Sequence, residues 1–328
     1  MSDLTDFDIT INLTNLITEY ELWIIKQEEI AHTELKDKTD LLETALRHID
    51  SCRLCLIRMK EGLELLKINE KVNRAFRLMN RAMLLQQLHY GIETRNWIID
   101  NGSITGLRDT KIPDINESTT WKPGLGAWRP FQLAFIIMNL NAMLDSVHPD
   151  REMVDLIWFP TGGGKTEAYL GLSAFTIFLK RLKDINDSGT TVLMRYTLRL
   201  LTAQQFQRAA SLICACDKIR KEHEEELGKA RITIGLWVGS DSTPNKREEA
   251  RKAFQLMEQG REEKNPFIVL KCPWCGSQMG YLKEAAVNKV KGYKRVTLNG
   301  KQTIIYQCDN SKCDFSSLEK QITTNCNR

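Results

Sequence analysis

The chain has 328 residues, 42% of them hydrophobic and 27% charged, with a formal net charge of +4. That length accommodates two domains, and so small a net charge does not by itself mark a nucleic-acid binder. The start, Met1-Ser2-Asp3-Leu4-Thr5-Asp6, lacks a basic-then-apolar signal pattern, and the most apolar run, 133–144, is too short to span a bilayer and carries Asn139 and Asn141. A cytoplasmic protein without a membrane partner is therefore expected, its nine cysteines serving as metal ligands and reduced thiols rather than as a disulfide framework.

Residues 1–100 read as an all-helical module. Leu13, Leu16, Ile17, Tyr20 and Ile24 open an apolar stretch, Leu41, Leu42, Ala45, Leu46 and Ile49 continue it at helical spacing, and the run 72–88 closes it. His48, Cys52 and Cys55 share one helix face there, but a closed zinc site needs a fourth ligand, so they read as core. From 101 to 128 glycines and prolines break the pattern, which predicts a linker, with Trp121 and Trp128 as anchors that dock it.

The stretch 129–270 carries alternating strand and helix signals, which predict a parallel sheet covered on both faces. Its strands are expected at 153–159, 190–196, 232–239 and 267–270. Between the first strand and a helix from Lys165 lies Phe159-Pro160-Thr161-Gly162-Gly163-Gly164-Lys165-Thr166. Three consecutive glycines let backbone N–H groups approach a phosphate, and the helix adds its positive dipole end. Lys165 is then placed for the β- and γ-phosphates and the Thr166 hydroxyl for Mg²⁺, so Thr161, Gly162, Gly163, Gly164, Lys165 and Thr166 form the expected ATP and Mg²⁺ site. Ahead of it, Gln132 in Arg129-Pro130-Phe131-Gln132 reads either as a reader of the adenine edge or as an ordinary helix-start glutamine.

Residues 271–315 hold two cysteine pairs, Cys272-Pro273-Trp274-Cys275 and Cys308–Cys313, on either side of an Asn299-Gly300 hairpin signal. That arrangement predicts a four-cysteine zinc ribbon with Cys272, Cys275, Cys308 and Cys313 as Zn²⁺ ligands and no open position for catalytic water. Cys326 is left over and is expected to be free. Lys289, Lys291, Lys294, Arg295 and Lys301, with Tyr293, read equally as a nucleic-acid contact and as ordinary hairpin lysines.

The Pro-Thr-Gly-Gly-Gly-Lys-Thr loop resembles the phosphate loop of superfamily 2 helicases. The segment Thr197-Leu198-Arg199-Leu200-Leu201-Thr202-Ala203-Gln204 resembles the segment with which that family grips a single-strand backbone. With 75–83, 129–140, 158–172, 194–210, 235–245 and 271–276 taken together, the chain is similar to the helicase subunit of DISARM-type anti-phage defence systems. The resemblance implies a RecA-like P-loop lobe (129–270) behind the helical module, with the zinc ribbon as an insertion and 316–328 a truncated tail. It implies an ATP-dependent DNA helicase or translocase, with Thr197, Arg199 and Gln204 on DNA that is single-stranded or has a single-stranded end, and other defence-system subunits as partners. No Asp-Glu dipeptide occurs in the sequence. The box that holds Mg²⁺ and orients the attacking water is therefore missing, as is a second lobe, so the chain is expected to be a fragment that hydrolyses ATP poorly. Two other readings stay open: another class of P-loop ATPase, and a zinc-containing DNA-binding or scaffold protein with a vestigial nucleotide loop.

Overall fold

The computed structural model describes the chain apart from residues 2–8, 113, 119–120, 122, 159–162, 196–198, 237, 239–242, 245, 262–264, 288, 299 and 317–328, with backbone alone at 199–203 and 298. The chain forms two compact units, each discontinuous in sequence: Met1–Met83 with Gly126–Asp187, and Leu84–Leu125 with Ser188–Arg328.

The first unit is helical. Helices α1 (Thr10–Glu34) and α2 (Thr39–Ile68) form a hairpin. Its core keeps Leu13, Ile17, Ile24 and Ile49 of the stripe read from the sequence and adds Ala31 on α1 and Leu56, Met59, Leu63 and Leu66 on α2, whereas Leu41 is exposed. Ion pairs Glu28–Arg53 and Glu21–Lys60 run in opposite directions along the two helices, so the hairpin is antiparallel. Asn69 ends α2, and its side-chain oxygen accepts from the Val72 N–H at 3.1 Å, which caps α3 (Glu70–Tyr90), a helix whose residues from Leu84 onward belong to the second unit.

Further along this unit lie α4 (Pro130–Met138), α5 (Leu140–Leu144), a 3₁₀ turn (Pro149–Glu152) and α6 (Lys165–Lys183). α4 starts at a proline, whose missing N–H costs nothing at a first helical position. It crosses α2 at Gly62, where the lack of a side chain admits the Ile137 carbonyl. Trp128 docks as expected: its Nε1 donates to the buried Asn80 side chain at 2.7 Å, and its ring lies against Gly171 of α6.

The second unit combines helices with small sheets. Strands β1 (Trp97–Asp100) and β2 (Ser103–Leu107) pair antiparallel through a turn in which Asn101 and Gly102 both have positive φ. After α7 (Arg199–Glu222), α8 (Glu224–Leu227) and α9 (Arg247–Glu258) come β3 (Gly280–Tyr281) with β4 (Val290–Lys291), then β5 (Tyr293–Leu298) with β6 (Lys301–Tyr306). Buried Asp217 on α7 accepts from Arg220, Arg231 and the Ile232 N–H, which pins the chain leaving α8.

Among the described residues the only sheets are these three two-stranded antiparallel ones, in place of the expected parallel sheet. The described parts of the segments expected as its strands form no ladder with one another. Residues 153–158 belong to no helix or strand, with Val154, Leu156 and Trp158 exposed at 95%, 83% and 83%, and Leu193 is likewise 83% exposed. Alternation marks a segment able to be a strand, but a strand exists only when a neighbour satisfies its N–H and C=O groups. The observed architecture is a mixed helical and small-sheet protein with a four-cysteine cluster. No helix among the described residues is long and apolar enough to cross a membrane.

Candidate functional site

The best-formed site lies in the second unit. The sulfurs of Cys272, Cys275, Cys308 and Cys313 lie within 4.8 Å of one another, and all four residues are buried. Cys272 and Cys313 are 3.9 Å apart, Cys275 and Cys308 3.5 Å. Both separations are far beyond a disulfide bond. Tetrahedral zinc with Zn–S distances of about 2.3 Å requires sulfur–sulfur edges of about 3.8 Å, so the cluster fits that ion. Among the described residues no other group of three or more His, Cys, Asp or Glu side chains could hold a metal.

The surroundings suit thiolates. The backbone N–H of Asn310 donates to Cys308 Sγ and that of Phe315 to Cys313 Sγ, both at 3.4 Å, and the Asn310 amide donates to Cys275 Sγ at 3.6 Å. Hydrogen bonds from the neighbouring cysteines, Cys272 first, hold the Cys275 thiol well below its ordinary range, whereas burial pushes the Cys272 thiol up. Several thiolates in one dry pocket repel each other until a dication neutralises them, which is what Zn²⁺ supplies when bound. Gly276 makes the first turn possible: its φ is +72°, and a Cβ there would meet the Glu93 carbonyl at 2.7 Å.

The cluster is tied to the elements around it. His89, near the end of α3, stacks on Trp274 with ring centroids 3.5 Å apart and shares a hydrogen bond of 2.6 Å with the Trp274 carbonyl. Nδ1 must carry the proton, because a carbonyl only accepts. Burial lowers the His89 pKa to about 4, so the ring is neutral. Trp274 Nε1 donates to Asp314, which also pairs with Lys218 of α7 at 3.2 Å. Arg95 makes backbone hydrogen bonds to Gly276 and Gln278.

The hairpin cations are largely committed within the protein. Lys294 pairs with Asp309 at 2.7 Å, Lys291 lies over the Trp97 ring, and Arg295 pairs with Glu258 while covering Phe254. Tyr293 is buried and its hydroxyl donates to the Val269 carbonyl at 2.6 Å, so it offers no face to a base. These contacts favour the structural reading of the hairpin over the nucleic-acid one.

The other expected site heads α6 in the first unit. Thr161 and Gly162 lie outside the described residues, while Gly163, Gly164, Lys165 and Thr166 are described. Gly164 is the N-cap of α6 with φ +83°, a conformation in which other residues are strained. Two side chains from the start of α4 hold the glycine carbonyls: Arg129 Nη1 donates to Gly163 O and Gln132 Nε2 to Gly164 O, each at 2.7 Å. Gln132 is buried, and its Oε1 accepts from the Arg129 N–H at 2.8 Å. Both ends of the amide are thus engaged beside the glycines. The sequence left Gln132 open between an adenine-edge reader and a helix-start glutamine; it gave no sign of this brace.

Of the residues expected on DNA, Thr197 lies outside the described residues, Arg199 opens α7, and Gln204 is exposed on that helix.

No protein-family model matches the chain. It is, however, similar to a DISARM protein. It is 36% identical, over 321 aligned positions that cover 93% of its length, to the DISARM protein DrmA of Bacillus paralicheniformis. A share that large takes in the Gly163–Thr166 and Cys272–Cys275 segments wherever its ends fall. The chain spans only about a quarter (26%) of DrmA's length.

A feature not read from the sequence lies ahead of the α6 glycines. Arg58 of α2, only 4% exposed, forms a two-point hydrogen bond with Asp155 at 2.7 and 3.0 Å, and its Nε lies 2.7 Å from Asp150. The signal was an arginine inside the apolar stripe Leu56–Met59–Leu63, where a charge requires a partner.

Proposed function

We propose that this chain is part of an ATP-driven DNA helicase or translocase acting in DISARM-type anti-phage defence. The similarity to DrmA over 93% of the chain carries the reading. The glycines heading a 19-residue helix support it, because that geometry aims backbone N–H groups and the helix dipole at one point.

In this reading Thr161 to Gly164 cradle the phosphates of ATP, Lys165 neutralises the β- and γ-phosphates, and Thr166 contributes a ligand to Mg²⁺. Gln132 sits beside the glycines, so adenine recognition by its amide requires exchanging the Gly164 carbonyl for the base edge. The cysteine cluster holds Zn²⁺ and staples α3, β1 and α7 together; with four sulfurs its role is structural. Arg199 and Gln204, with Thr197, contact the DNA backbone, and the RecA-like sheet is completed by strands that the exposed segment 153–158 is patterned to accept. The missing Asp-Glu box leaves hydrolysis to groups outside this sequence. In this reading the protein works in the cytoplasm, where incoming phage DNA is met and cysteines stay reduced, alongside other defence subunits.

Single-stranded DNA binding across a salt series tests this reading. Arg199→Ala is expected to weaken binding to all sequences alike and to lower the salt slope by about one phosphate contact. Unchanged binding in Arg199→Ala, with binding lost on neutralising Lys289 and Lys301, would move the DNA contact to the zinc-bearing module. Binding indifferent to both ATP and Lys165→Ala would favour the scaffold reading with a vestigial loop.

A further inference from the structure

Residues 153–158 immediately precede the glycine loop, yet no ladder fixes them. Their even-numbered side chains, Val154, Leu156 and Trp158, face solvent. Met153 is exposed as well, whereas Asp155 and Ile157 are half-buried. Asp155, between the exposed Val154 and Leu156, meets Arg58. Arg58 lies on the buried face of α2 between Leu56, Met59 and Leu63, so the hairpin α1–α2 fixes its position.

We propose that Arg58 is a positioning residue, which holds the run leading into the phosphate loop at a fixed place against α2. Its guanidinium reaches three carboxylate oxygens with three nitrogens: Nη1 and Nη2 on Asp155, and Nε near Asp150, at the start of the turn that begins the run. A planar fork matched to a carboxylate fixes direction as well as distance, which a lysine cannot do. The hydrogen bonds that Asp155 accepts, and then its charge, keep the guanidinium firmly protonated against the cost of burial. Losing the Asp155 carboxylate leaves the buried guanidinium with Asp150 alone, and losing the arginine leaves both carboxylates without their cation. The helical module thereby gains a role: it sets where the loop begins, while Arg129 and Gln132 hold the loop's far end at Gly163 and Gly164. The consequence for nucleotide rests on the phosphate-loop reading above; the clamp itself does not.

The test uses the full chain with Arg58→Gln, Asp155→Asn, the double variant and Arg58→Lys. Limited chymotrypsin cleavage after Leu156 and Trp158 is mapped by mass spectrometry, and Mg·ATP affinity is measured on the same samples. Each single variant is expected to speed cleavage about tenfold and to weaken Mg·ATP by a similar factor, the scale of a lost charge-assisted hydrogen bond. The double variant is expected to be no worse than the singles, because the two side chains act as one unit. Arg58→Lys is expected to fall in between. Unchanged cleavage in Asp155→Asn, or single effects that multiply in the double variant, would overturn the clamp. Faster cleavage with full Mg·ATP affinity would overturn its positioning role. Should Arg58→Gln fail to fold, Asp155→Asn decides alone. A parent chain that binds no Mg·ATP would defeat the nucleotide reading, while the cleavage series would still decide the clamp.

Discussion

Gly62→Ala separates local propensity from packing, because the two predict opposite signs. In a solvated helix interior, replacing glycine by alanine stabilises by about 1 kcal/mol. Gly62 lies buried in α2, and a Cβ there would fall 2.1 Å from the Ile137 carbonyl oxygen and 2.9 Å from its carbon. Ordinary contact begins near 3.4 Å, so α4 must retreat by roughly 1 Å, and because the obstacle is backbone, no rotamer change relieves it. Overpacking of this kind costs about 1–3 kcal/mol, and a collision this close belongs at the upper end. Subtracting the gain in helix propensity leaves a net loss of about 2 kcal/mol. Urea unfolding followed by far-ultraviolet circular dichroism reads the change as a lower midpoint at unchanged slope. Gly171→Ala is the comparison: its Cβ would meet only the tips of Ile136 and Trp128, at 2.8 Å, and those side chains can turn aside. A Gly62→Ala protein as stable as the parent, or less affected than Gly171→Ala, would refute the close crossing of α2 and α4.

Zinc is expected at one ion per chain, and Cys275→Ser should release it while the helical signal of the first unit persists; elemental analysis of protein purified without chelator checks both, and absence of zinc from the parent would reject the assignment. His89 gives a pH dependence. Its folded pKa of about 4 lies below the ordinary 6.5, so between those values the unfolded chain binds a proton that the folded one refuses. Stability is therefore full above pH 6.5 and falls as pH drops towards 4, by about 3 kcal/mol over the whole window. His89→Gln, which can still donate to the Trp274 carbonyl, should flatten that part of the profile in urea titrations at successive pH values. A variant as pH-sensitive as the parent would assign the dependence elsewhere.

What could be read from the sequence followed the range of the interactions. The apolar stripes of α1 and α2 are local periodicities, and the cysteine pairs announce a short-range chemical constraint, so both were legible. The hairpin β1–β2 was missed although Asn101-Gly102 is a turn signal, because the surrounding glycines and prolines pointed to a linker. Residues 153–158 carry strand alternation, but pairing depends on a partner far away in sequence, and no local pattern supplies it. Arg58 and Gln132 show the same limit from another side: each residue type hinted at a partner, and only the fold names Asp155 for one and the Gly164 carbonyl for the other.

Calorimetric titration of Mg·ATP into the parent chain and into Lys165→Ala tests the central claim most directly. The account predicts measurable binding by the parent and a loss of about 1.5–3 kcal/mol in the variant, the value of a hydrogen bond to a charged group. Equal affinity in the two proteins, or no binding by the parent, would contradict it.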